Sequence, residues 1–191
     1  MNKKQDIIRV ATQFFAKQRF NATTTLQIAQ ELNITEPAIF YHFKNKDDVF
    51  TQIFESAFSK LFSRLDALEK NTGTEFEKIE NYISLFFEFA AEKPQETYLI
   101  VSACPTKLRD QKHVCSKNVE HFIEWGISYL SDCLENGIKK SEFPDIPIKD
   151  TASMFIALLN GIVRQKILAP SICSKTMKDT VVEFCRRSLG R

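Results

Sequence analysis

The stretch from Thr25 to Phe43 has the spacing of two short helices that meet at a tight corner. Each helix has one apolar side, formed by Ile28, Leu32, Ile34 and Ile39. Ala29 is small enough to lie where the helices cross, and Asn33 tolerates the left-handed conformation that ends a helix sharply. Thr35 is expected to cap the second helix, with Pro37 in its first turn, where a missing N–H costs nothing. The outer side of the second helix stays polar and aromatic, which predicts a helix-turn-helix that reads DNA.

The rest of the chain favours an all-α fold of about nine helices. The 191 residues can bury a core without disulfides, and they include only five glycines and six prolines. Apolar residues recur with helical period, and no strand pattern competes. We therefore expect a three-helix helix-turn-helix domain over residues 1–47, with the helix-turn-helix at about 25–43. A long fourth helix joins it to a helical ligand-binding and dimerisation domain over residues 48–191.

The periodicity and the stop signals predict the bounds of each helix. The expected helices run over about 3–18, 25–32, 36–43, 45–71, 74–92, 96–103, 107–136, 152–168 and 175–189. Asn45 can cap the fourth helix, and Thr74 with Glu77 forms a capping box for the fifth. Gly137 is expected to end the seventh helix, because glycine favours the left-handed conformation found there.

Charge and cysteine usage narrow the class of protein. Residues 1–50 carry seven Lys and Arg against five Asp and Glu, so the small net charge of +2 lies in the predicted DNA-binding part. The five cysteines contain no C-x-x-C pair, and neither they nor His113 and His121 have a diagnostic metal spacing. We therefore predict no metal and no cofactor. The start of the chain is polar and no segment is apolar enough to span a bilayer, which favours a cytoplasmic protein without membrane contact.

The segment 152–168 is apolar around nearly its whole circumference. A helix of this kind must be covered on all sides, and a chain this small offers only one inner side. Gly161 costs a helix about 1 kcal/mol relative to alanine, which is reasonable where a neighbouring helix approaches closely. We therefore expect a homodimer built on a four-helix interface, with a core helix of a monomer as the alternative. The expected interface residues are Phe155, Leu158, Leu159, Ile162, Val163, Met177, Val181 and Phe184.

With this order of elements in view, residues 5 to 54 resemble the TetR family of bacterial transcriptional regulators. The pattern is carried by Ala11, Phe14, Phe15, Thr23-Thr24-Thr25, Ile28-Ala29, Leu32-Asn33-Ile34-Thr35, Ala38-Ile39, Tyr41-His42-Phe43, Lys46 and Val49-Phe50. The resemblance implies a homodimer, a palindromic operator with two half-sites, and repression relieved by a small molecule. The remaining three quarters of the chain match only in the order and length of the helices. Two positions depart from the family pattern: Phe40 replaces a tyrosine that contacts phosphate, and Asn33 replaces a glycine.

The first turn of the third helix is where side chains reach base edges in the major groove. The candidates for base contacts are Thr35, Glu36, Pro37 and Ala38. Tyr41, His42 and Lys46, with Phe40 beside them, are placed for contacts to phosphate. Thr24 and Thr25 are expected to hold phosphate at the start of the second helix. The alternatives are that Thr25 and Thr35 only cap, that Tyr41 packs against the first helix, and that His42 and Lys46 are ordinary surface residues.

Aromatic residues are frequent in the second domain and predict a pocket for a small apolar or aromatic effector. The pocket candidates are Phe86, Phe87, Phe89, Tyr98, Phe122, Trp125 and Tyr129. The alternative is an ordinary packed core. No paired carboxylates, nucleophile with a base, or glycine-rich phosphate loop stands out, so we expect no enzyme. The second hypothesis is a helical binding module or enzyme that does not bind DNA. The salt dependence of binding to duplex DNA distinguishes the two, because only a DNA-binding protein shows a steep dependence.

Overall fold

The computed structural model describes residues 2–102, 105, 108 and 113–190, and these ranges contain helices and turns but no strand. This confirms the prediction of an all-α fold of about nine helices. In chain order the helices are α1 (Lys3–Ala22), α2 (Thr25–Glu31), α3 (Glu36–Phe40), α4 (Lys46–Leu68), α5 (Glu75–Glu92), α6 (Pro94–Ser102), α7 (Val114–Lys139), α8 (Ile148–Leu168) and α9 (Met177–Ser188). The expected start of the seventh helix at about 107 lies outside the described residues. None of the helices in the described ranges is long and apolar enough to cross a membrane.

The chain divides into two compact units. Unit 1 comprises Met1–Lys60 and Lys93–Val119, and unit 2 comprises Leu61–Glu92 and Glu120–Arg191. The first part of α4 and all of α6 thus belong with the N-terminal helices. The boundary drawn at residues 47 and 48 from the sequence marks the start of α4, and as a functional division it stays a prediction.

Unit 1 is built on an aromatic core beneath the helix-turn-helix. Here α1 packs against α2 and α6, and α2 packs against α3. The rings of Phe15, Phe20 and Phe50 lie 5.2 to 5.7 Å apart in tilted and edge-on contacts, which favour aromatic pairs. Arg19 interrupts α1 with a φ of 69°, so the last residues of that helix turn and carry Phe20 inward.

The corner between α2 and α3 has the geometry that the sequence predicts. Asn33 has a φ of 51°, and the backbone N–H of Ile34 donates to the carbonyl of Ala29 at 3.0 Å. Ala29 is fully buried at this crossing. The third helix is shorter than expected and ends at Phe40, because the chain turns at residues 41 and 42 before Asn45 caps α4. The Asn45 side chain accepts from the backbone N–H of Asp48 at 2.9 Å.

Unit 2 surrounds α5, which packs against α8 and α9. The predicted capping box at Thr74 and Glu77 forms in both directions, with hydrogen bonds of 2.8 and 3.1 Å. The prediction that Gly137 ends the seventh helix is wrong, since α7 continues to Lys139 and the left-handed residue is Ser141, with a φ of 56°. Gly137 lies inside the helix because Phe143 packs there, and an added Cβ would lie 2.1 Å from its ring.

Candidate nucleic-acid interface

A groove on unit 1 collects several of the residues that the sequence associates with DNA. It has a volume of about 650 Å³ and is lined by Asn2, Lys3, Thr35, Ala38, Tyr41 and His42. Asn2 and Lys3 precede or open α1 and were not among the predicted contacts. The signal that could have found Lys3 was present, since Lys3-Lys4 is the first basic pair of a basic segment. The groove therefore joins the start of α1 to the reading side of α3.

Tyr41 is the most exposed large side chain at this groove. Its exposed fraction is 86%, and its ring meets His42 edge-on with 5.1 Å between the centroids. The alternative that Tyr41 packs against the first helix is therefore wrong. Phe40, the last residue of α3, is 46% exposed. An aromatic side chain held outside the core is free to contact another surface, and the phenol also supplies a hydrogen-bond donor.

The threonines around α2 and α3 have different partners from those expected. Thr24 is the N-cap of α2 and forms a capping box with Gln27, with both hydrogen bonds present. Thr25 instead donates its hydroxyl to Oε1 of Glu36 at 2.5 Å. Thr35 is the N-cap residue of α3, as predicted, and Pro37 follows in the first turn, but the Thr35 side chain makes no capping hydrogen bond. The Thr25–Glu36 hydrogen bond links the first residues of the two helices.

Lys46 is turned toward its own unit. Its ammonium donates to the carbonyl of Phe20 at 2.9 Å and to the carbonyl of Thr23 at 2.8 Å. The same nitrogen lies 4.4 Å from the centroid of the Phe20 ring, within cation–π distance. These contacts fix the turn between α1 and α2 to the start of α4. They differ from the phosphate contact that the sequence suggests, because two of the three ammonium donors already have partners.

A second set of polar contacts holds the α1–α2 junction. The amide nitrogen of Gln18 donates to the Thr23 hydroxyl at 3.3 Å and to Oε1 of Gln27 at 3.0 Å. The Thr23 hydroxyl donates in turn to the carbonyl of Arg19 at 2.9 Å. Sequence reasoning missed Gln18, because a single glutamine on a helix carries no pattern. The orientation of α2 is thus set by polar contacts as well as by its apolar side.

The start of α4 is stabilised by Asp48. Its side chain accepts from the backbone N–H of Lys44 at 2.8 Å and from the side chain of Gln52 at 3.0 Å. Partial burial raises the pKa of this carboxyl, but the hydrogen bonds from Gln52 and Lys44 and the nearby positive charges outweigh it and lower the pKa overall. The carboxylate also interacts favourably with the N-terminal end of the helix dipole.

The aromatic residues of unit 2 separate into a core and a cavity wall. Phe86, Phe89 and Phe122 are buried, and the Phe86 and Phe122 rings pack 5.5 Å apart. Trp125 and Tyr129 line a cavity of about 300 Å³. The predicted pocket does not form as one set: the three phenylalanines are core residues, and Tyr98 belongs to unit 1.

The expected interface residues on α8 and α9 also divide into two groups. Phe155, Leu159, Val163 and Val181 are buried within one protomer, so they stabilise its core and are not available to a partner. Leu158, Ile162 and Met177 are half-buried, and Phe184 is 55% exposed. Met154, which was not predicted, is 68% exposed on α8. An added Cβ at Gly161 would meet nothing within 4 Å in the protomer, so the glycine lies on the open side of the helix.

The cysteines and histidines do not assemble into a metal site within the described residues. No group of three or more His, Cys, Asp and Glu is placed there to hold an ion. Cys115 and Cys133 are buried. Burial raises the pKa of the Cys133 and Cys185 thiols to about 12, which keeps both protonated and unreactive near neutral pH. Cys104 lies outside the described residues.

Comparisons with known proteins support the helix-turn-helix and the all-α fold. Residues 7–53 match the family of bacterial regulatory proteins, tetR family. The nucleoid occlusion factor SlmA of Marinomonas sp. (strain MWYL1) is 22% identical over 170 residues, which cover 87% of this chain and 85% of that relative. The HTH-type transcriptional regulator QacR of Staphylococcus aureus is 38% identical over 60 residues, 31% of this chain and 32% of QacR. The structure of the regulator FadR of Bacillus subtilis in complex with stearoyl-CoA has a TM-score of 0.73 at 18% identity, covering 95% of this chain and 96% of FadR.

The fold and the exposed α2–α3 pair together define a helix-turn-helix DNA-binding protein. The match over residues 7–53 covers α2, α3 and their supporting helices, and the structural likeness extends over nearly the whole chain. Residues 7–53 are therefore a helix-turn-helix domain of the tetR family of bacterial regulatory proteins. Of the three proteins compared, QacR and FadR are named as transcriptional regulators and SlmA as a nucleoid occlusion factor.

Proposed function

We propose that the protein is a homodimeric transcriptional repressor that acts by binding DNA and a small molecule, without catalysing a reaction. Two copies of the α2–α3 pair bind the two half-sites of a palindromic operator, and a small molecule bound in unit 2 releases them. The observation that carries the proposal is the groove in which Lys3, Thr35, Ala38, Tyr41 and His42 meet on one exposed side of unit 1.

Base readout is assigned to the start of α3. The Thr35 hydroxyl makes no capping hydrogen bond to the backbone of α3. Thr35 and Ala38 both line the groove, where Ala38 presents a methyl group. A threonine and an alanine suit contacts to thymine methyl groups and to hydrogen-bonding base edges. Pro37 lies between them in the first turn and keeps the backbone compact. Glu36 contributes less directly, because its carboxylate already accepts from Thr25.

Phosphate contacts are assigned to the exposed polar groups around the readout residues. Lys3, Tyr41 and His42 line the groove, and each can donate a hydrogen bond to a phosphate oxygen. Phe40 can pack against the sugar backbone but cannot donate. This set gives the charge and the donors that fix the protein on the duplex without reading its sequence.

Dimerisation is assigned to the open side of α8 and α9. Met154, Leu158, Gly161 and Leu168 follow one another at helical spacing along α8, and Leu168 is 49% exposed. Phe184 adds an exposed aromatic ring on α9. Large exposed apolar side chains that line up on neighbouring helices mark an interface more often than a solvent-facing surface. Paired copies would align two reading helices with successive major grooves.

Release by a small molecule requires that the ligand bind one conformation better than the other. The affinity for DNA can then fall by no more than the difference in ligand affinity between the two conformations. The B. subtilis FadR structure contains stearoyl-CoA, so a relative of the same fold binds a small molecule. We place the ligand of this protein in the cavity next to Trp125 and Tyr129.

Selection of bound sequences from a random DNA pool tests the DNA-binding part. We expect a palindromic consensus and an affinity that falls steeply with salt, since counterions are released from the contacted phosphates. Recovery of random sequences, with binding that is insensitive to salt, would overturn the proposal and favour a helical binding module.

Analytical ultracentrifugation of a charge variant tests the dimer. Phe184→Asp places a carboxylate in the proposed interface, and we expect it to produce monomers at micromolar concentration. Ile172→Asp is the matched control, because Ile172 is also exposed (68%) but lies in the segment between α8 and α9. Equal effects of the two substitutions would exclude the assigned face.

A further inference from the structure

The cavity in unit 2 has a definite chemical character. It lies among the end of α4, the start of α5 and one side of α7. Its walls include Glu69, Glu75, Lys78, Trp125, Tyr129 and Asp132. Its volume of about 300 Å³ stands at the lower end of the range of about 300–1,000 Å³ for small-molecule sites. The volume favours a compact ligand. The side chains that line the cavity determine which ligand charge is favoured.

One wall is flat, aromatic and held in place. Trp125 and Tyr129 are one turn apart on α7, and their rings stack with 5.1 Å between centroids and 10° between planes. Tyr82 stacks against both, at 6.3 and 5.7 Å, and is itself buried. The Tyr129 hydroxyl is buried and lies next to the Cys133 thiol. Stacked rings held by a buried neighbour form a rigid π surface, which attracts cations.

The charges around this wall are mainly negative. Glu75 is 1% exposed, and its carboxylate forms ion pairs with Lys78 at 3.0 Å and with Lys140 at 2.6 Å. Burial alone would raise the pKa of Glu75, but the hydrogen bonds from Lys140 and Lys78 outweigh it and lower the pKa overall. Glu69 and Asp132 are exposed and form no ion pair within the described part of the chain. Glu69, Glu75 and Asp132 therefore carry three negative charges against the two positive charges of Lys78 and Lys140, so the charge around the cavity is net negative.

We propose that this cavity binds a compact organic cation, such as a protonated amine or a quaternary ammonium compound that carries an aromatic ring. The cationic group lies against the Trp125–Tyr129 wall, near Glu69 and Asp132. A ligand with several phosphates, such as an acyl-CoA, is disfavoured by both carboxylates and by the volume. The role of such a cation as effector rests on the proposed repressor function, but its binding does not.

Trp125 is the only tryptophan of the chain, so its fluorescence reports on the cavity directly. The probes are benzyltrimethylammonium, the neutral N-benzylacetamide, the anion phenylmethanesulfonate, and decanoyl-CoA. We expect the cation to change the Trp125 emission and to bind at least about tenfold more tightly than the neutral probe. We expect no saturable change with the anion or the acyl-CoA. Equal affinity for the cation and the neutral probe, or tighter binding of either anion, would overturn the proposal.

Two exposed carboxylates provide variants that leave the core intact. Asp132→Asn combined with Glu69→Gln should weaken binding of benzyltrimethylammonium about tenfold. Glu124→Gln is the matched control, because Glu124 is an exposed carboxylate on α7, like Asp132, but does not line the cavity. Far-ultraviolet circular dichroism confirms that each variant keeps its helices. Unchanged affinity in a folded double variant would contradict the assignment of these carboxylates.

A separate measurement of operator binding distinguishes the site from its regulatory role. If the cation binds and operator affinity falls, both proposals hold. If the cation binds and operator affinity is unchanged, the site stands and its role as effector fails. If the protein binds no duplex at all, the repressor function fails, whereas the fluorescence titration still decides the cation site.

Discussion

The substitution Lys46→Met tests whether Lys46 contacts phosphate or is an internal clamp, that is, a lysine that holds its own unit together through hydrogen bonds. Methionine keeps an apolar chain over the Phe20 ring and removes the ammonium, which donates to the carbonyls of Phe20 and Thr23 at 2.9 and 2.8 Å. Hydrogen bonds from a charged donor contribute about 1.5–3 kcal/mol each. The Phe20 carbonyl keeps a second donor, the backbone N–H of Thr23 at 3.3 Å. We therefore expect a loss of about 2–4 kcal/mol in the free energy of unfolding of unit 1.

The salt dependence of DNA binding supplies the second readout. A lysine that neutralises one phosphate in each protomer contributes about 1.8 to the slope of log K against log salt for a dimer. If Lys46 is an internal clamp, the Lys46→Met slope stays close to that of the wild type. Operator affinity still falls, by about tenfold or more relative to random duplex, because α2 and α3 are no longer held for base readout.

Fluorescence anisotropy with labelled operator and random duplexes, between about 50 and 200 mM salt, measures the salt slope and the affinity for each duplex. Lys3→Met is the matched control, since Lys3 is an exposed lysine in the groove. We expect Lys3→Met to reduce the slope, to weaken both duplexes equally and to leave unfolding unchanged. The reasoning is refuted if Lys46→Met reduces the slope as much as Lys3→Met and leaves stability untouched, because Lys46 would then contact phosphate.

Three further predictions test other parts of the molecule. Tyr41→Ala should weaken binding to operator and random duplexes alike, by roughly 1 kcal/mol, and a change in base preference in a selection experiment would contradict the phosphate role. Glu75→Gln should flatten the acid side of a plot of stability against pH. The carboxyl has a folded-state pKa below its ordinary value of 4.5, so its stabilisation is present above that value and is lost as the pH falls through the folded pKa. Denaturant unfolding of both proteins at several pH values measures this, and parallel curves would count against it. Gly137→Ala should destabilise unit 2 by about 1–3 kcal/mol because the new Cβ meets the Phe143 ring, whereas Gly161→Ala should not destabilise the protomer. Equal unfolding midpoints for the two alanine variants would disprove the steric argument.

The helix-turn-helix could be predicted from the sequence because backbone geometry restricts which residues fit. A corner in the left-handed conformation accepts few residues, and Asn33 at φ 51° is one of them. Ala29 at the crossing is dictated by the closeness of two backbones. These requirements are local, so each leaves its mark within a few positions of the sequence.

The partners of polar side chains could not be predicted in the same way. Lys46 bonds to carbonyls 23 and 26 residues earlier, and Thr25 bonds to Glu36 across the corner. A lysine after a reading helix looks the same in the sequence whether it faces DNA or its own backbone. The sequence is ambiguous at Gly137 for a related reason: a glycine required by the nearby Phe143 ring resembles a glycine that ends a helix. Only the tertiary contacts distinguish these cases.

The aromatic residues of unit 2 illustrate the limit for ligand sites. Phe86 and Phe122 pack in the core, whereas Trp125 and Tyr129 border a cavity, although all four are aromatic residues on helices of unit 2. Burial of a ring and lining of a cavity by a ring impose the same requirement on residue type. The charge of the cavity depends on which carboxylates form ion pairs with lysines, and the sequence does not specify that pairing.

Thermodynamic linkage gives a last prediction that joins the two proposals. If benzyltrimethylammonium lowers operator affinity by a given factor, saturating operator must lower the affinity of the cation by the same factor, because both paths lead to the same ternary state. Trp125 fluorescence measures the second factor, and anisotropy of labelled operator measures the first. Sodium chloride at equal ionic strength controls for screening of the phosphates. Unequal factors would mean that the cation acts on DNA binding from outside the cavity, for instance by competing for phosphate, and the regulatory role of the cavity would then be rejected.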